Sequence, residues 1–161
     1  EGSALDMPFA DQSFDAVVTQ HASMNIEDKA GLYGEIARVL EPGGRLGIYD
    51  IMAGPGGEAY YPSPWASDPK FSFLEEPVPM KAMIEAAGLR AVTWEDVTPK
   101  ALAWMAAQKM AKEVRASRGE AEPVSGALLL MGKEGPEKLR NIARNLHEGR
   151  IVTMLGVFEK V

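Results

Sequence analysis

The chain has 161 residues, enough for one domain with a substantial core, and its 46% apolar and 25% charged composition is that of a globular protein. No apolar run is long enough to span a membrane, and a net charge of −6 opposes the cationic surface that nucleic acid requires, so neither is an expected partner. With no cysteine there is no disulfide framework, thiol nucleophile or thiolate metal site, and a cytoplasmic location is the default expectation.

The opening "EGSALDMPFADQSF" has no initial methionine and no lead-in to an element, and reads as the later part of something longer. "DAVVTQ" (residues 15–20) is a short apolar run between turn formers, the pattern of a buried strand. In "IEDKAGLYGEIARVL" the apolar Leu32, Ile36, Val39 and Leu40 recur at helical spacing. Pro42, Gly43 and Gly44 end that helix, because proline cannot extend it and glycine turns freely. "RLGIYDI" is a second apolar strand. Strand, helix and strand with short connections predict a parallel crossover unit.

Residues 52–76 form a long irregular segment that holds Tyr60, Tyr61 and Trp65. A connection of that length inside a compact domain is either functional or disordered, and its aromatic content argues against disorder. The stretch "AGPGG" within it reads as a hinge. "PVPMKAMIEAAG" restores helical spacing and stops at Gly88, and "LRAVTWEDV" alternates as a strand. Thr98 and Pro99 then start a helix, with threonine as N-cap and Leu102, Met105, Ala106, Met110 and Val114 as its apolar positions. Lys109, Lys112, Arg115 and Arg118 on that helix read as a solvated face. "PVSGALLLMG" (residues 123–132) reads as a short helix, Pro136 opens another that Gly149 closes, and "RIVTMLGVFEKV" is a final strand. Four strands and about five helices make an α/β sheet, with residues 99–149 a helical insertion before the last strand.

"GSALDMPFADQSFDAVVTQ" and "EIARVLEPGGRLGIYD", at this separation, resemble two segments of class I S-adenosylmethionine-dependent methyltransferases. The match is to the broad group of ubiquinone- and menaquinone-biosynthesis and glycine/sarcosine-type enzymes. "AAGL", "VTWEDVT" and "NLHEGRIVTMLGVFEKV" resemble the helix and strands that follow, so the resemblance covers nearly all of residues 1–161. It implies a Rossmann-like sheet lacking its first strands, an antiparallel last strand, and methyl transfer from S-adenosylmethionine to a small-molecule acceptor. The family's glycine-rich cofactor loop and its acidic ribose-binding residue belong to the first half of such a domain and have no counterpart here. The resemblance therefore implies weak cofactor binding and no activity for this stretch alone.

By the same resemblance, Gly2, Ser3 and Ala4 match the positions that meet the adenine ring, with Ser3 where many relatives carry aspartate. Met7 and Phe9 are expected to pack beneath them. Thr19, Gln20 and His21 end the first strand, facing the methionine moiety of the cofactor. His21 is either a base for the acceptor's proton, since an imidazole ordinarily titrates near neutrality, or a residue that orients its loop. Asn25 either lines the acceptor site or caps the following helix, and His147 reads as structural. Tyr49 and Asp50 end the second strand, where open α/β sheets gather their sites. Tyr60, Tyr61 and Trp65 form a candidate lid over the acceptor; for an amine acceptor their faces would favour a cationic product. Trp65 and Phe73 read equally as loop anchors.

The first strand, with no neighbour on one side, has an apolar edge that predicts self-association. Two other readings stay open. One is a non-catalytic interaction module on the same sheet. The other is a nicotinamide-dependent oxidoreductase, which would need a glycine fingerprint that this sequence does not contain.

Overall fold

The computed structural model describes residues 2–121, 123 and 126–161. Its strands are β1 (Phe14–Gln20), β2 (Leu40–Ala53), β3 (Leu89–Asp96) and β4 (Ile151–Lys160). Its α-helices are α1 (Lys29–Val39), α2 (Pro77–Ala86), α3 (Thr98–Ser117), α4 (Gly126–Met131) and α5 (Gly135–His147). The strands form one sheet in the order β1-β2-β4-β3. β1 and β2 are parallel, joined through α1, while β4 runs antiparallel to both β2 and β3. The expected α/β sheet with an antiparallel last strand is therefore present. Between β3 and β4 the described chain is helical. Val124 and Ser125, in the stretch expected to be a short helix, lie outside the described residues; α4 follows them.

α1 begins at Asp28, whose Oδ1 accepts from the Gly31 N–H at 2.8 Å. Asn25 is therefore not the cap of this helix; it closes the one-turn 3₁₀ segment Ser23–Asn25 that precedes it. The inner face of α1 buries Leu32, Tyr33 and Ile36 with Leu46 and Ile48 of β2, Met80 and Ile84 of α2, and Phe158 of β4. Fully burying side chains of this size stabilises by about 1.5–3 kcal/mol each, so this cluster fixes the layer order.

Two expected boundaries move. α1 stops at Val39, because Leu40 is already extended, and the Pro-Gly-Gly turn falls within β2. There the pairing jumps from Phe14–Leu40 to Ala16–Arg45, and Gly43 supplies a φ of +79° for the detour. The turn thus sets the register of β2 instead of ending a helix. Thr98 is the first residue of α3, not its N-cap. Asp96 Oδ1 accepts from the Thr98 N–H, and Thr98 Oγ1 accepts from the Thr153 N–H, both at 2.8 Å, which ties α3 to β4.

A second cluster, Met24, Ile51, Leu146 and Ile151, sits at the carboxyl end of β2, with Leu102, Met105 and Ile142 packed on it. It takes only the first turns of α3. Ala106, Met110 and Val114, three of the apolar positions read on this helix, are exposed, as is Trp104. Among the described residues no helix is long and apolar enough to cross a membrane.

Candidate active site

The turn after β1 is built on a buried carboxylate. Asp50, fully buried at the end of β2, accepts from the Ala22 N–H at 2.9 Å and from the Ser23 N–H at 3.2 Å. The His21 N–H donates to the Tyr49 carbonyl at 3.0 Å, and His21 takes a φ of +50°, in the left-handed region where a side chain is uncommon. Lys29 closes the turn from the other side. Its buried Nζ donates to the carbonyls of Ser23 (2.8 Å) and Phe73 (2.7 Å), and closely to that of Ile26. Burial lowers the Lys29 pKa, opposed by the nearby carboxylates of Glu75, Asp50 and Glu27.

These supports hold His21 at the junction of two cavities. The larger, about 480 Å³, has His21, Tyr49, Ile51, Trp104, Ile142 and Leu155 among its walls. The smaller, about 340 Å³, shares His21, Ile51 and Ile142 and adds Met24, Asn25 and Trp65. The His21 and Tyr49 rings lie 5.0 Å apart between centroids. Three residues singled out in the sequence, His21, Asn25 and Trp65, thus line one hollow, and Tyr49 joins it through the larger cavity.

Tyr60 and Tyr61 lie elsewhere. The Tyr60 ring already holds two guanidiniums, Arg144 at 3.8 Å and Arg150 at 4.1 Å, and its hydroxyl accepts from Arg144 Nη2 at 2.9 Å. Asn145, fully buried, accepts from the Tyr60 N–H at 2.8 Å and donates to the Tyr60 carbonyl at 3.1 Å. Tyr61 meets Trp65 edge-on at 6.2 Å, and Trp65 Nε1 donates to Ser72 Oγ at 2.8 Å. The stretch read as a hinge is fastened too. Gly54 and Gly56 donate to the carbonyls of Arg150 and Gly149, and a Cβ on either would fall 2.1–2.2 Å from a carbonyl oxygen. This segment is riveted to α5 and the start of β4.

Gly2, Ser3 and Ala4 line a shallow cavity of about 290 Å³ with Met7, Pro8 and Phe9, sharing no lining residue with the other two. Ser3 Oγ accepts from the Leu5 N–H at 3.1 Å. Met7 packs against the main core, whereas Phe9 is half exposed and meets Phe14 edge-on. Arg38 clamps this loop to α1 by donating to the carbonyls of Met7 and Phe9, to Asp11 and to both Glu35 oxygens. Glu35 also accepts from the Met7 N–H at 2.8 Å. Arg38, and then that N–H, hold the Glu35 carboxyl down at about 2, so the carboxylate side of the clamp persists far into acid.

Residues 1–48 match the family model described as "Methyltransferase domain". A geranyl diphosphate C-methyltransferase from Streptomyces coelicolor A3(2) superposes with a TM-score of 0.69 at 20% identity, over 99% of this chain and 51% of that one. The chain has the class I methyltransferase fold. Among curated methyltransferases, a sterol 24-C-methyltransferase of Gibberella zeae is 46% identical over 52 residues, 32% of this chain and 14% of that protein. An O-methyltransferase of Aspergillus sclerotiorum is 32% identical over 101 residues, 59% of this chain and 36% of that protein. The chain therefore spans about half the length of the solved methyltransferase and less than half of these relatives. Within this methyltransferase fold, Glu35 and Arg38 give the two sequence motifs a physical link, since the second motif's side chains grip the first motif's loop.

Lys29 and Asn145 have buried roles that the sequence reading did not assign. A signal existed for each. Lys29 is a cation in the first turn of a helix, where the macrodipole disfavours it unless another interaction holds it. Asn145 is a polar residue beside Leu146 and Ile142 on a helix that otherwise buries apolar groups.

Proposed function

We propose that the protein transfers a methyl group from S-adenosylmethionine to a small-molecule acceptor, within a methyltransferase domain into which the helices of residues 99–149 are inserted. The observation that carries this reading is His21, held in a left-handed turn by Asp50 and Lys29 at the junction of two cavities. The cofactor fits the residues present in one specific respect: Thr19 Oγ1 is buried with no hydrogen-bond partner among the described residues, and so is free to serve a polar ligand. Gly2, Ser3, Ala4, Thr19 and Gln20 are the residues proposed to hold it. When bound, the cofactor supplies an electrophilic methyl group on a sulfonium.

The chain's own groups do the rest. His21 takes the acceptor's proton, and Tyr49, whose ring lies 5.0 Å from the imidazole between centroids, orients the acceptor beside it. The acceptor's body lies in the larger cavity, and Asn25 and Trp65 line the smaller one that adjoins it at His21. Tyr61 supports Trp65, and Tyr60 acts through its hold on α5.

Release of S-adenosylhomocysteine, when a chain that joins residues 1–161 to the glycine-rich cofactor loop is mixed with S-adenosylmethionine and an acceptor, tests the reading. His21→Gln is expected to lower kcat by about 10²–10⁴-fold while cofactor affinity stays unchanged. Equal turnover by the variant would remove His21 from the chemistry. No turnover and no cofactor binding by a chain that includes the glycine-rich cofactor loop would favour a non-catalytic module on this sheet.

We also infer that the 161-residue chain pairs with a second copy through β1. Among the described residues β1 is bonded on one side only, to β2, and Val18 on it is 76% exposed. Light scattering of a dilution series is expected to show dimers or larger species. A monomer at all concentrations would refute the pairing.

A further inference from the structure

The walls of the larger cavity speak to which acceptor fits, an inference that rests on the methyl-transfer reading above. Ile51, Met105, Ile142, Leu146 and Leu155 make it apolar, and among the described residues no aspartate or glutamate lines it. Among the described residues the charged group of its lining is a cation, Lys100, whose Nζ is 2.9 Å from Glu95. An amine acceptor becomes more cationic, and burying that charge here would leave it without a counter-ion. Aromatic faces do not replace one. Tyr60 carries two arginines, and Trp65 in the smaller cavity is tied to Ser72 and Tyr61. Trp104, one helical turn from Lys100, and Tyr49 are the aromatic residues among the described lining, and with the Lys100 ammonium beside the indole they do not replace a carboxylate counter-ion.

The polar end of the cavity has the opposite character. His21 and Tyr49 stand together there, and among the described residues neither the imidazole nor the phenol has a hydrogen-bond partner. A neutral imidazole accepts a proton, and a phenol both donates and accepts. That pair suits a hydroxyl acidic enough to surrender its proton to histidine, as a phenol or enol does and an aliphatic alcohol does not.

We propose that the acceptor is an uncharged molecule with an apolar body and a phenolic or enolic hydroxyl, methylated on oxygen. The hydroxyl proton passes to the His21 imidazole, and the oxygen forms the new C–O bond. The electron pair of the broken S–CH₃ bond stays on the sulfur of the sulfonium donor. The imidazolium then returns its proton to water.

Calorimetric titration of the protein without cofactor, using 1-naphthol and the cationic (1-naphthylmethyl)trimethylammonium, tests the assignment. Naphthol is expected to bind at least about tenfold more tightly. Leu155→Lys, at a position 41% exposed, is expected to weaken naphthol about tenfold by placing a charge in the wall, with its melting temperature recorded alongside. Should that variant fail to fold, Trp104→Glu, at a position 64% exposed, repeats the test from the opposite wall. Equal or tighter binding of the cation, or naphthol binding indifferent to both variants, overturns the proposal. A separate titration with S-adenosylmethionine distinguishes the two claims. Naphthol selectivity with no cofactor binding, by a chain that includes the glycine-rich cofactor loop, supports the ligand class and sinks methyl transfer; turnover of an amine but not of naphthol by that chain does the reverse.

Discussion

Asp50→Ala is expected to destabilise the chain by about 2–4 kcal/mol, the cost of stranding backbone donors that a buried carboxylate had satisfied. Both Asp50 oxygens are used, one by Ala22 and one by Ser23, and Ser23 is itself 1% exposed, so water cannot replace the lost acceptor there. The geometry predicts more than lost stability. His21 follows β1 with a positive φ that its neighbours must hold in place, and without Asp50 the turn relaxes toward ordinary backbone. Asp50→Asn keeps one acceptor oxygen and should lose roughly half as much. Urea unfolding of the three proteins measures the order. A loss below about 0.5 kcal/mol for the alanine variant, the level of an ordinary surface change, would show that the carboxylate does not support the turn.

Lys29→Met is the second large effect, expected to cost about 2–4 kcal/mol near neutral pH, because the carbonyls of Ser23, Ile26 and Phe73 lose a charged donor together. Its pH dependence has a definite sign. Burial lowers the folded-state pKa of Lys29, so between that value and the ordinary 10.5 the unfolded chain binds a proton that the folded chain does not. Stability contributed by this group therefore rises with pH across that window. The methionine variant has no such group and should lack the rise. Urea midpoints taken through the alkaline range, wild type against variant, show the difference directly. Parallel curves would mean that Lys29 is no more desolvated in the fold than out of it.

Periodicity was enough for the strand–helix–strand unit, since the apolar spacing of Leu32, Ile36 and Leu46 is what the sheet and α1 bury. It failed where an element's apolar face is left open. α3 has the spacing of a core helix, yet Met110 and Val114 are exposed, because the second cluster reaches only its first turns. Caps shifted by a few residues, from Asn25 to Asp28, since a turn between β1 and α1 consumes the earlier position. The candidate site was legible at His21, Asn25, Tyr49 and Trp65, which converge at strand ends, as open α/β sheets arrange their sites. The partners of Tyr60, Lys29 and Asn145 were not legible. Each depends on groups 44–85 positions away in the chain, and only the folded topology brings those together.

The turn that presents His21 is secured from β2 and the start of α1, whereas much of the larger hollow's wall comes from α3 and α5. The His21 turn and most of the hollow's wall thus come from separate stretches of chain. On the proposed reading, exchanging the wall-forming helices would re-specify which molecules enter while leaving the His21 corner undisturbed, a division that suits the scaffold to grafting.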